Sequence, residues 1–269
     1  MDSNSILNLC APERQSEVAE ERFSRIEEKL LLPNSLRDDF IKTANKHHMV
    51  PCYPDDTTVY SLIESTYFDS QELRSFTDHF QRASYRFKLR GRKYGPNGHW
   101  PDASAPMYLE LKTKSVDICD KVRIKIDNDE FVNLKNGGRI ARTNKIKTVK
   151  KINDVFETLP QSPTCKIVYR RYAYEQDNLR ITIDDQIKFQ PLKNIDPNLA
   201  LRLKSMTWWP DAHVMSKKLE SGDYSLVEVK HIGILPLWLQ NYMNTHNLVF
   251  QSFSKYCYAI SNLIQGELR

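Results

Sequence analysis

Basic side chains occupy every second position of a short segment, Ser84–Arg92, and apolar side chains fill most of the positions between them. Successive side chains of a β-strand point to opposite faces, so this spacing gathers the cations on one face of a predicted strand. Arginine binds phosphate through a planar fork of donors, and lysine binds it as a point charge. A face that combines both suits an anion rich in phosphate. The cations of this segment are Arg86, Lys88, Arg90 and Arg92.

The same alternation recurs in residues 25–29, 108–114, 121–126, 179–184 and 226–230. Cations far outnumber carboxylates on these polar faces, whereas the whole chain is nearly balanced, with 39 lysines and arginines against 34 aspartates and glutamates. Positive charge is therefore segregated by strand face. The charged residues of these faces are Arg25, Glu27, Lys29, Glu110, Lys112, Lys114, Lys121, Arg123, Lys125, Arg180, Asp184, Glu228 and Lys230.

A single strand of this kind is typical of a solvated sheet face, but six of them indicate a sheet with one apolar and one strongly basic face. Helices can cover the apolar face while the basic face curls inward, which gives a barrel with a cationic interior. Because like charges at short range repel one another, such an interior requires an anion, water or a metal ion. A narrow basic tube fits a linear polyanion, such as triphosphate or polyphosphate, better than a nucleic acid.

Four carboxylates share these basic faces, and two interpretations of them stay open. Each can pair with neighbouring cations, or it can bind Mg²⁺ or Mn²⁺, which prefer oxygen ligands and often keep substrate phosphates in their shell. In the segment 226–230, Val227 and Val229 belong to the apolar face, so Glu228 points inward. The other three carboxylates are Glu27, Glu110 and Asp184.

Strands and helices follow one another without regular βαβ spacing, which predicts an α+β fold with a largely antiparallel sheet. The stretch Tyr94–Pro106 is rich in glycine and proline and is predicted to be a loop between two strands. We expect residues 1–21 to be a polar lead-in and residues 22–269 to form one domain. Helices are expected from apolar periodicity and capping residues over 34–47, 70–82, 144–158, 196–206, 235–246 and 252–265.

Composition favours a soluble intracellular protein. Hydrophobic residues make up 40% of the 269 positions, more than disordered or low-complexity chains contain. No apolar run approaches the roughly 18 residues of a membrane-spanning helix, and the first residues lack the pattern of a signal peptide. The five cysteines are scattered and form no CxxC pair, so we expect reduced thiols and a cytoplasmic location. The absence of HExxH, GxSxG and GxxxxGKS sequences disfavours zincins, serine hydrolases and P-loop proteins.

Taken in order, these segments resemble the catalytic domain of the vacuolar transporter chaperone (VTC) polyphosphate polymerases. That family lies in the triphosphate tunnel metalloenzyme superfamily, with the CYTH phosphatases and cyclases. The resemblance spans about residues 22–265 and implies an eight-stranded antiparallel β-barrel tunnel covered by helices. The matching stretches are RIEEKLLL (25–32), STYFDS (65–70), YRFKLRGRKYG (85–95), YLELKTK (108–114), KVRIKI (121–126), VYRRYAYE (168–175), LRITIDDQIKF (179–189), LVEVK (226–230), LPLWL (235–239) and FSKY (253–256).

The resemblance implies that the tunnel takes ATP with Mn²⁺ or Mg²⁺ and transfers the γ-phosphate to inorganic phosphate or to a growing polyphosphate chain. Glu228 matches the family's metal-binding glutamate. Catalytic roles are implied for Lys29, Arg90, Arg92, Tyr169, Arg171, Ser254 and Lys255. Phosphate binding is implied for Arg25, Glu27, Arg86, Lys88, Lys112, Lys114, Lys121, Arg123, Arg180 and Lys230.

Two other functions stay open. A tripolyphosphatase or nucleoside triphosphatase would use water in place of the phosphate acceptor, and a non-catalytic module would only bind polyphosphate. Arg25 stands where the CYTH ExExK signature has its first glutamate, which disfavours a two-metal triphosphatase and is closer to the VTC pattern. Ser252 stands where some relatives have a lysine. Glu228 argues against the binding module, because a pure anion binder needs no metal ligand.

Overall fold

The computed structural model describes residues 26–53, 59–95, 98–116, 118–141, 146–206 and 222–266, so the predicted lead-in and Arg25 lie outside the described residues. The strands in these ranges are β1 (Ile26–Pro33), β2 (Val50–Pro51), β3 (Ser61–Asp69), β4 (Tyr85–Gly95), β5 (Met107–Ser115), β6 (Ile118–Ile126), β7 (Ser162–Gln176), β8 (Leu179–Pro191) and β9 (Tyr224–His231). The helices are α1 (Asn34–Lys46), α2 (Arg74–Phe80), α3 (Asn128–Lys135), α4 (Ile146–Thr158), α5 (Pro197–Lys204), α6 (Leu237–Thr245) and α7 (Lys255–Gly266).

All these strands belong to one antiparallel sheet, in the order β1-β9-β8-β7-β3-β4-β5-β6, with β2 paired to the far end of β7. Strands β1 and β6 end this order, and within the described ranges no backbone pairing joins them. The sheet curls until side chains meet across the gap, where Lys112 Nζ on β5 lies 3.6 Å from the Glu27 carboxylate on β1. The α+β class and the antiparallel sheet are confirmed, while a fully hydrogen-bonded ring of strands is not completed in this part of the chain.

Helices cover the outer face of the sheet in two apolar clusters. One cluster joins β1, β8 and β9 to α1 and α6, and the other joins β4, β5 and β6 to α3 and α4. The strand residues in them alternate with the cations, so the predicted polarity of the two faces is confirmed. Full burial of one such side chain stabilises the fold by about 1.5–3 kcal/mol. Central members are Leu30, Phe40, Ile181, Val227 and Leu239 in the first cluster and Leu89, Leu109, Ile124, Leu134 and Ile152 in the second.

Helix α7 lies against the opposite face, inside the curled sheet. Tyr256 and Ile260 of this helix share a buried cluster with Tyr67 of β3 and with Ile167 and Tyr169 of β7. The rings of Tyr67 and Tyr256 stack with their centroids 5.2 Å apart. The helix therefore fills one part of the interior, and its first residue borders the space that remains.

Each of the six predicted helices is present, with ends that differ from the predicted ones by at most four residues. Helix α2 begins at Arg74 rather than at residue 70, because Leu73 adopts a left-handed backbone conformation with φ of 56°. The Asp69 carboxylate accepts the backbone N–H groups of Ser75 at 2.9 Å and Phe76 at 3.2 Å, which caps the helix from outside it. Helix α1 starts at Asn34 as expected, but Pro33 occupies its N-cap position. No helix within the described ranges is both long and apolar enough to cross a lipid bilayer.

Helix α3 has no counterpart among the predicted helices. Asp127 and Glu130 form a capping box at its start, in which the Asp127 carboxylate accepts the Glu130 backbone N–H at 2.8 Å. An acidic residue followed three positions later by glutamate is a readable signal for a helix start. Leu134 of this helix packs in the outer apolar cluster, so the helix covers the outer face of the sheet and does not border the cavity.

Candidate functional site

The curled sheet encloses a cavity of about 650 Å³. All eight long strands contribute to its wall, together with His79 of α2 and the segment that leads into α7. Among the residues that the structure describes, twelve lysines and arginines line the cavity with four glutamates, so cations outnumber carboxylates threefold there. The cations are Lys29, Arg86, Lys88, Arg90, Arg92, Lys112, Lys114, Lys121, Arg171, Arg180, Lys230 and Lys255.

The structure thus brings together at one cavity most of the site residues expected from the sequence, including Ser254, Glu27 and Glu228. Two expected site residues, Arg123 and Tyr169, do not line the cavity. Arg123 packs on Tyr108, with its guanidinium carbon 3.8 Å from the ring centroid. Tyr169 is only 1% exposed.

Glu110 lies on β5 and pairs with the arginines of the neighbouring strand β4. Its carboxylate accepts from Arg90 Nε at 2.7 Å and lies 3.2 Å from Lys121 Nζ and 3.6 Å from Arg123 Nε. Burial alone would raise the pKa of Glu110, but Arg90, Arg92, Lys121 and Arg123 hold it well below the ordinary value. The carboxylate is therefore ionised and surrounded by cations, which favours the ion-pair interpretation for this residue.

Asp184 of β8 holds two further cations from a position with 0% exposure. Arg171 donates to its two oxygens at 2.6 and 2.7 Å, and Lys255 Nζ lies 2.5 Å from one of them. Arg171 and Lys255 also lie over the Tyr169 ring, at 5.4 and 4.8 Å from its centroid. Among the described residues, nothing hydrogen-bonds to the Tyr169 hydroxyl. Asp184 and Tyr169 are thus buried groups that hold Arg171 and Lys255 in place at the cavity.

Lys88 and Ser254 meet where α7 begins. Lys88 Nζ donates to Ser254 Oγ at 2.8 Å, and the same oxygen accepts the Cys257 backbone N–H at 3.3 Å, so Ser254 also caps the helix. His79, which no sequence pattern singled out, places Nδ1 3.5 Å from Lys88 Nζ. Burial first, and then Lys88, Arg86 and Lys29, lower the pKa of His79 to about 3, so the imidazole is neutral. Because the lysine only donates, Nδ1 accepts and the imidazole proton is on Nε2.

Glu27 and Glu228 form the acidic side of the cavity. In the β1–β9 register, Lys29 lies opposite Glu228 and Glu27 lies opposite Lys230. Lys29 Nζ is 3.0 Å from Glu27 and 3.9 Å from Glu228, while Lys230 Nζ is 3.7 and 3.2 Å from the same carboxylates. Burial alone would raise the pKa of Glu228, but Lys230, Lys29, Arg171 and Lys255 hold it well below its ordinary value. Burial and the charge of Glu228 would raise the pKa of Glu27, but Lys29, Lys112 and Lys230 lower it below the ordinary value. Both glutamates are therefore ionised at neutral pH.

These two carboxylates fit a hard divalent cation in part. Mg²⁺ and Mn²⁺ favour oxygen ligands, and in phosphate-handling proteins one or two carboxylates usually share the ion with substrate phosphates and water. No group of three or more histidine, cysteine, aspartate or glutamate side chains placed to hold a metal occurs in the described ranges. A metal at Glu27 and Glu228 would therefore depend on phosphate oxygens for the rest of its shell.

Tyr67 is a further cavity residue that the sequence patterns did not select. It lies in the matching stretch STYFDS, but β3 has no alternating cations to draw attention to it. Arg90 Nη1 donates to the Tyr67 hydroxyl at 3.1 Å. In the β3–β4 register, Tyr67 lies opposite Arg90. Only the register of β3 against β4 shows that this tyrosine belongs with the basic face.

Comparisons with solved structures show remote similarity. A candidate adenylate cyclase from Bacillus halodurans aligns at 10% identity over 86% of this chain and 93% of its own, with a TM-score of 0.47. Another from Vibrio parahaemolyticus aligns at 10% identity over 86% and 94%, with a TM-score of 0.41. A Pyrococcus horikoshii protein aligns at 12% identity over 91% and 100%, with a TM-score of 0.40. At these scores the alignments carry no argument about activity, and no curated protein matches the sequence significantly.

The sequence profile of one family, described as the VTC domain, matches residues 24–264. This span contains all the strands of the sheet, the start of α7 and the lining of the cavity. The match therefore covers nearly the whole chain and every element that places a cation in the interior. This chain belongs to the VTC domain family.

Proposed function

We propose that this protein is a polyphosphate polymerase that transfers the γ-phosphate of ATP to inorganic phosphate or to a growing polyphosphate chain. The supporting observation is the cavity of about 650 Å³, whose lining includes twelve cations and four glutamates among the described residues. Cations this close repel one another, so a bound polyanion relieves the repulsion. Membership of the VTC domain family supports the same class of substrate.

Arg90 and Arg92 are suited to the triphosphate of ATP. They lie two residues apart on β4 and both line the cavity, so they can face one row of phosphates. Glu110 fixes Arg90, and Ser65 accepts from Arg92 Nε at 3.1 Å. Phosphoryl transfer depends mainly on positioning and on stabilising charge, and donors fixed in advance supply both.

We assign the acceptor phosphate to the end of the cavity where α7 begins. Arg171 and Lys255, held by Asp184, reach this region, and Lys88 with Ser254 lies beside it. The N-terminus of a helix adds a favourable potential for an anion. An acceptor phosphate oxygen is already negatively charged, so the transfer needs no strong general base.

Glu228, with Glu27 beside it, is the proposed ligand of Mn²⁺ or Mg²⁺. When bound, such an ion supplies Lewis-acid polarisation and charge neutralisation at the phosphates. Lys29 and Lys230 keep the two carboxylates ionised and in place. Their own charges add to the binding of phosphate at this side of the cavity.

Incubation with ATP and Mn²⁺, with separate assays for ADP, free phosphate and long-chain polymer, tests the proposal. ADP accompanied by polymer is the expected result. ADP and free phosphate without polymer would identify a hydrolase that uses water as the acceptor. Binding of polyphosphate without release of ADP would identify a binding module.

Inorganic tripolyphosphate is expected to stabilise the fold strongly, because it binds the folded state and relieves repulsion among the cavity cations. At a concentration of about 100 times its Kd, linkage gives roughly 2.7 kcal/mol, which corresponds to about 5–10 °C in melting temperature for a chain of this size. Thermal melting with and without tripolyphosphate at low ionic strength measures this shift, and chloride at matched ionic strength is the control. An unchanged melting temperature would contradict a polyanion site in the cavity.

Binding of tripolyphosphate is expected to weaken as the pH rises through about 8, because Lys121 loses its charge there. Burial lowers the pKa of Lys121 to about 8, Glu110 opposes this shift, and Arg90 and Arg92 add to it. Lys121→Arg keeps the charge, since arginine stays protonated throughout this range. Calorimetric titration between about pH 7 and pH 9 should show an extra two- to fivefold loss of affinity in the wild type, roughly the worth of one exposed ion pair. Equal slopes in the two proteins would remove Lys121 from the binding site.

A further inference from the structure

The hydroxyl of Tyr67 has a proton to donate inside the basic cavity. Its side chain lines the cavity, although the residue is only 6% exposed. Arg90 Nη1 donates to the phenolic oxygen at 3.1 Å. An arginine only donates, so the Tyr67 oxygen is the acceptor in this bond and its own proton stays available. Among the residues that the structure describes, no atom accepts that proton.

The cations around this hydroxyl come from several elements. Burial alone would raise the pKa of Tyr67, but Arg90 and Arg92 of β4 and Lys255 of α7 lower it below the ordinary value. The phenol in turn helps to raise the pKa of Lys29 on β1. Tyr67 therefore lies within electrostatic reach of both proposed triphosphate ligands and of two lysines on other elements. A phenol made more acidic in this way is a stronger hydrogen-bond donor to an anion.

The ring of Tyr67 is held in place from behind. It stacks on Tyr256 with an angle of 23° between the ring planes. The Tyr256 hydroxyl donates to Asp69, and Asp69 also caps α2 through Ser75. A donor fixed by this buried chain needs little rearrangement when charge develops on a phosphate oxygen.

We propose that the Tyr67 hydroxyl donates a hydrogen bond to a phosphate oxygen of the bound polyanion, where the Arg90–Arg92 pair meets the lysines of β1 and α7. This inference rests on the proposed function, because it places Tyr67 beside the phosphoryl group in transfer. The resemblance to the family had implied such a role for Tyr169, but that residue lies behind Arg171 and Lys255. Tyr67 is the tyrosine whose hydroxyl lies beside the Arg90 guanidinium in the cavity wall.

The variant Tyr67→Phe removes the hydroxyl and keeps the ring that stacks on Tyr256. Turnover with ATP and Mn²⁺ is expected to fall about ten- to a hundredfold, the usual effect of losing one hydrogen bond to a charged group. Its melting temperature should stay close to that of the wild type. Tyr174→Phe is the matched control, because Tyr174 lies in the outer apolar cluster and its loss of a hydroxyl should leave turnover unchanged. Wild-type turnover in Tyr67→Phe overturns the proposal.

A titration separates this contact from the polymerase activity. The difference between the ultraviolet tyrosinate titrations of the wild type and Tyr67→Phe isolates the Tyr67 phenol. Inorganic tripolyphosphate should shift this titration to higher pH, because a bound anion disfavours the phenolate and accepts its proton in a hydrogen bond. A wild type that binds tripolyphosphate without this shift overturns the contact. A wild type that shows the shift but makes no polymer supports the contact and overturns the polymerase.

Discussion

Glu228→Gln is expected to lower turnover with ATP and Mn²⁺ by about a hundredfold or more, while the protein still folds. The carboxylate lies in the cavity wall beside Glu27, and its neighbours keep it ionised. Glutamine has the same shape without the charge, so it removes a ligand for a divalent cation with little change in packing. Loss of metal-assisted charge stabilisation, worth several kcal/mol, converts to a factor of this size at about 1.4 kcal/mol for each tenfold. Lys29 and Lys230 retain Glu27 as an ion-pair partner, which preserves the local structure.

Glu64→Gln is the matched control for this variant. Glu64 also lies on a strand of the sheet and pairs with a lysine, Lys166, at 3.1 Å, but it does not line the cavity. The measurements are turnover across a range of Mn²⁺ concentrations, Mn²⁺ binding in the presence of tripolyphosphate, and thermal melting. Full activity and unchanged Mn²⁺ binding in Glu228→Gln would refute the metal role.

Asp184→Asn is expected to lower the free energy of unfolding by about 3–5 kcal/mol, because it leaves two buried or nearly buried cations without their counter-charge. Asp184 has 0% exposure and holds Arg171 through two hydrogen bonds and Lys255 through one ion pair. The same change releases both cations from their positions at the cavity, so turnover should collapse as well. Urea unfolding measures the first effect, and turnover per folded molecule measures the second.

The neighbouring residue provides the control. Asp185 is 2% exposed and pairs with Arg170 and Arg37, but its partners lie away from the cavity lining. Asp185→Asn should therefore lose a similar amount of stability and keep its turnover per folded molecule. Tripolyphosphate should restore more stability to Asp184→Asn than to Asp185→Asn, since a polyanion can replace the missing charge at Arg171 and Lys255. Equal losses of turnover in the two variants would show that Asp184 acts on stability alone.

The alternation along single strands was sufficient to predict which face of the sheet carries the charge. Arg86, Lys88, Arg90 and Arg92 all line the cavity, while Leu89 between them belongs to the outer apolar cluster. The period of two follows from the geometry of a strand and needs no tertiary information. Capping residues indicated a helix after Asp69, although α2 begins only at Arg74. The pair Asp127 and Glu130 would have indicated α3 in the same way.

Local pattern alone did not distinguish between the two Glu-x-Lys segments. Glu110-Leu111-Lys112 and Glu228-Val229-Lys230 read alike, and both glutamates point inward. The register of β4, β5 and β6 surrounds Glu110 with cations, whereas the β1–β9 pairing places Glu228 beside another carboxylate, Glu27. Only the second arrangement leaves two carboxylates together for a divalent cation.

The sequence by itself determined the class of fold, the outer apolar face and a basic interior suited to a polyanion, because all of these depend on residue type and spacing. The tertiary structure alone decided which side chains meet there. Tyr67 and His79 line the cavity only because of the tertiary structure. In the same way, Tyr169 lies beneath Arg171 and Lys255. Asp184 forms ion pairs with both of those cations. These contacts join residues of β3, β4, β7, β8 and α7 that lie far apart in the chain. Such contacts depend on strand register and on the position of α7 inside the sheet. Neither can be predicted from the spacing of residue types within a single segment.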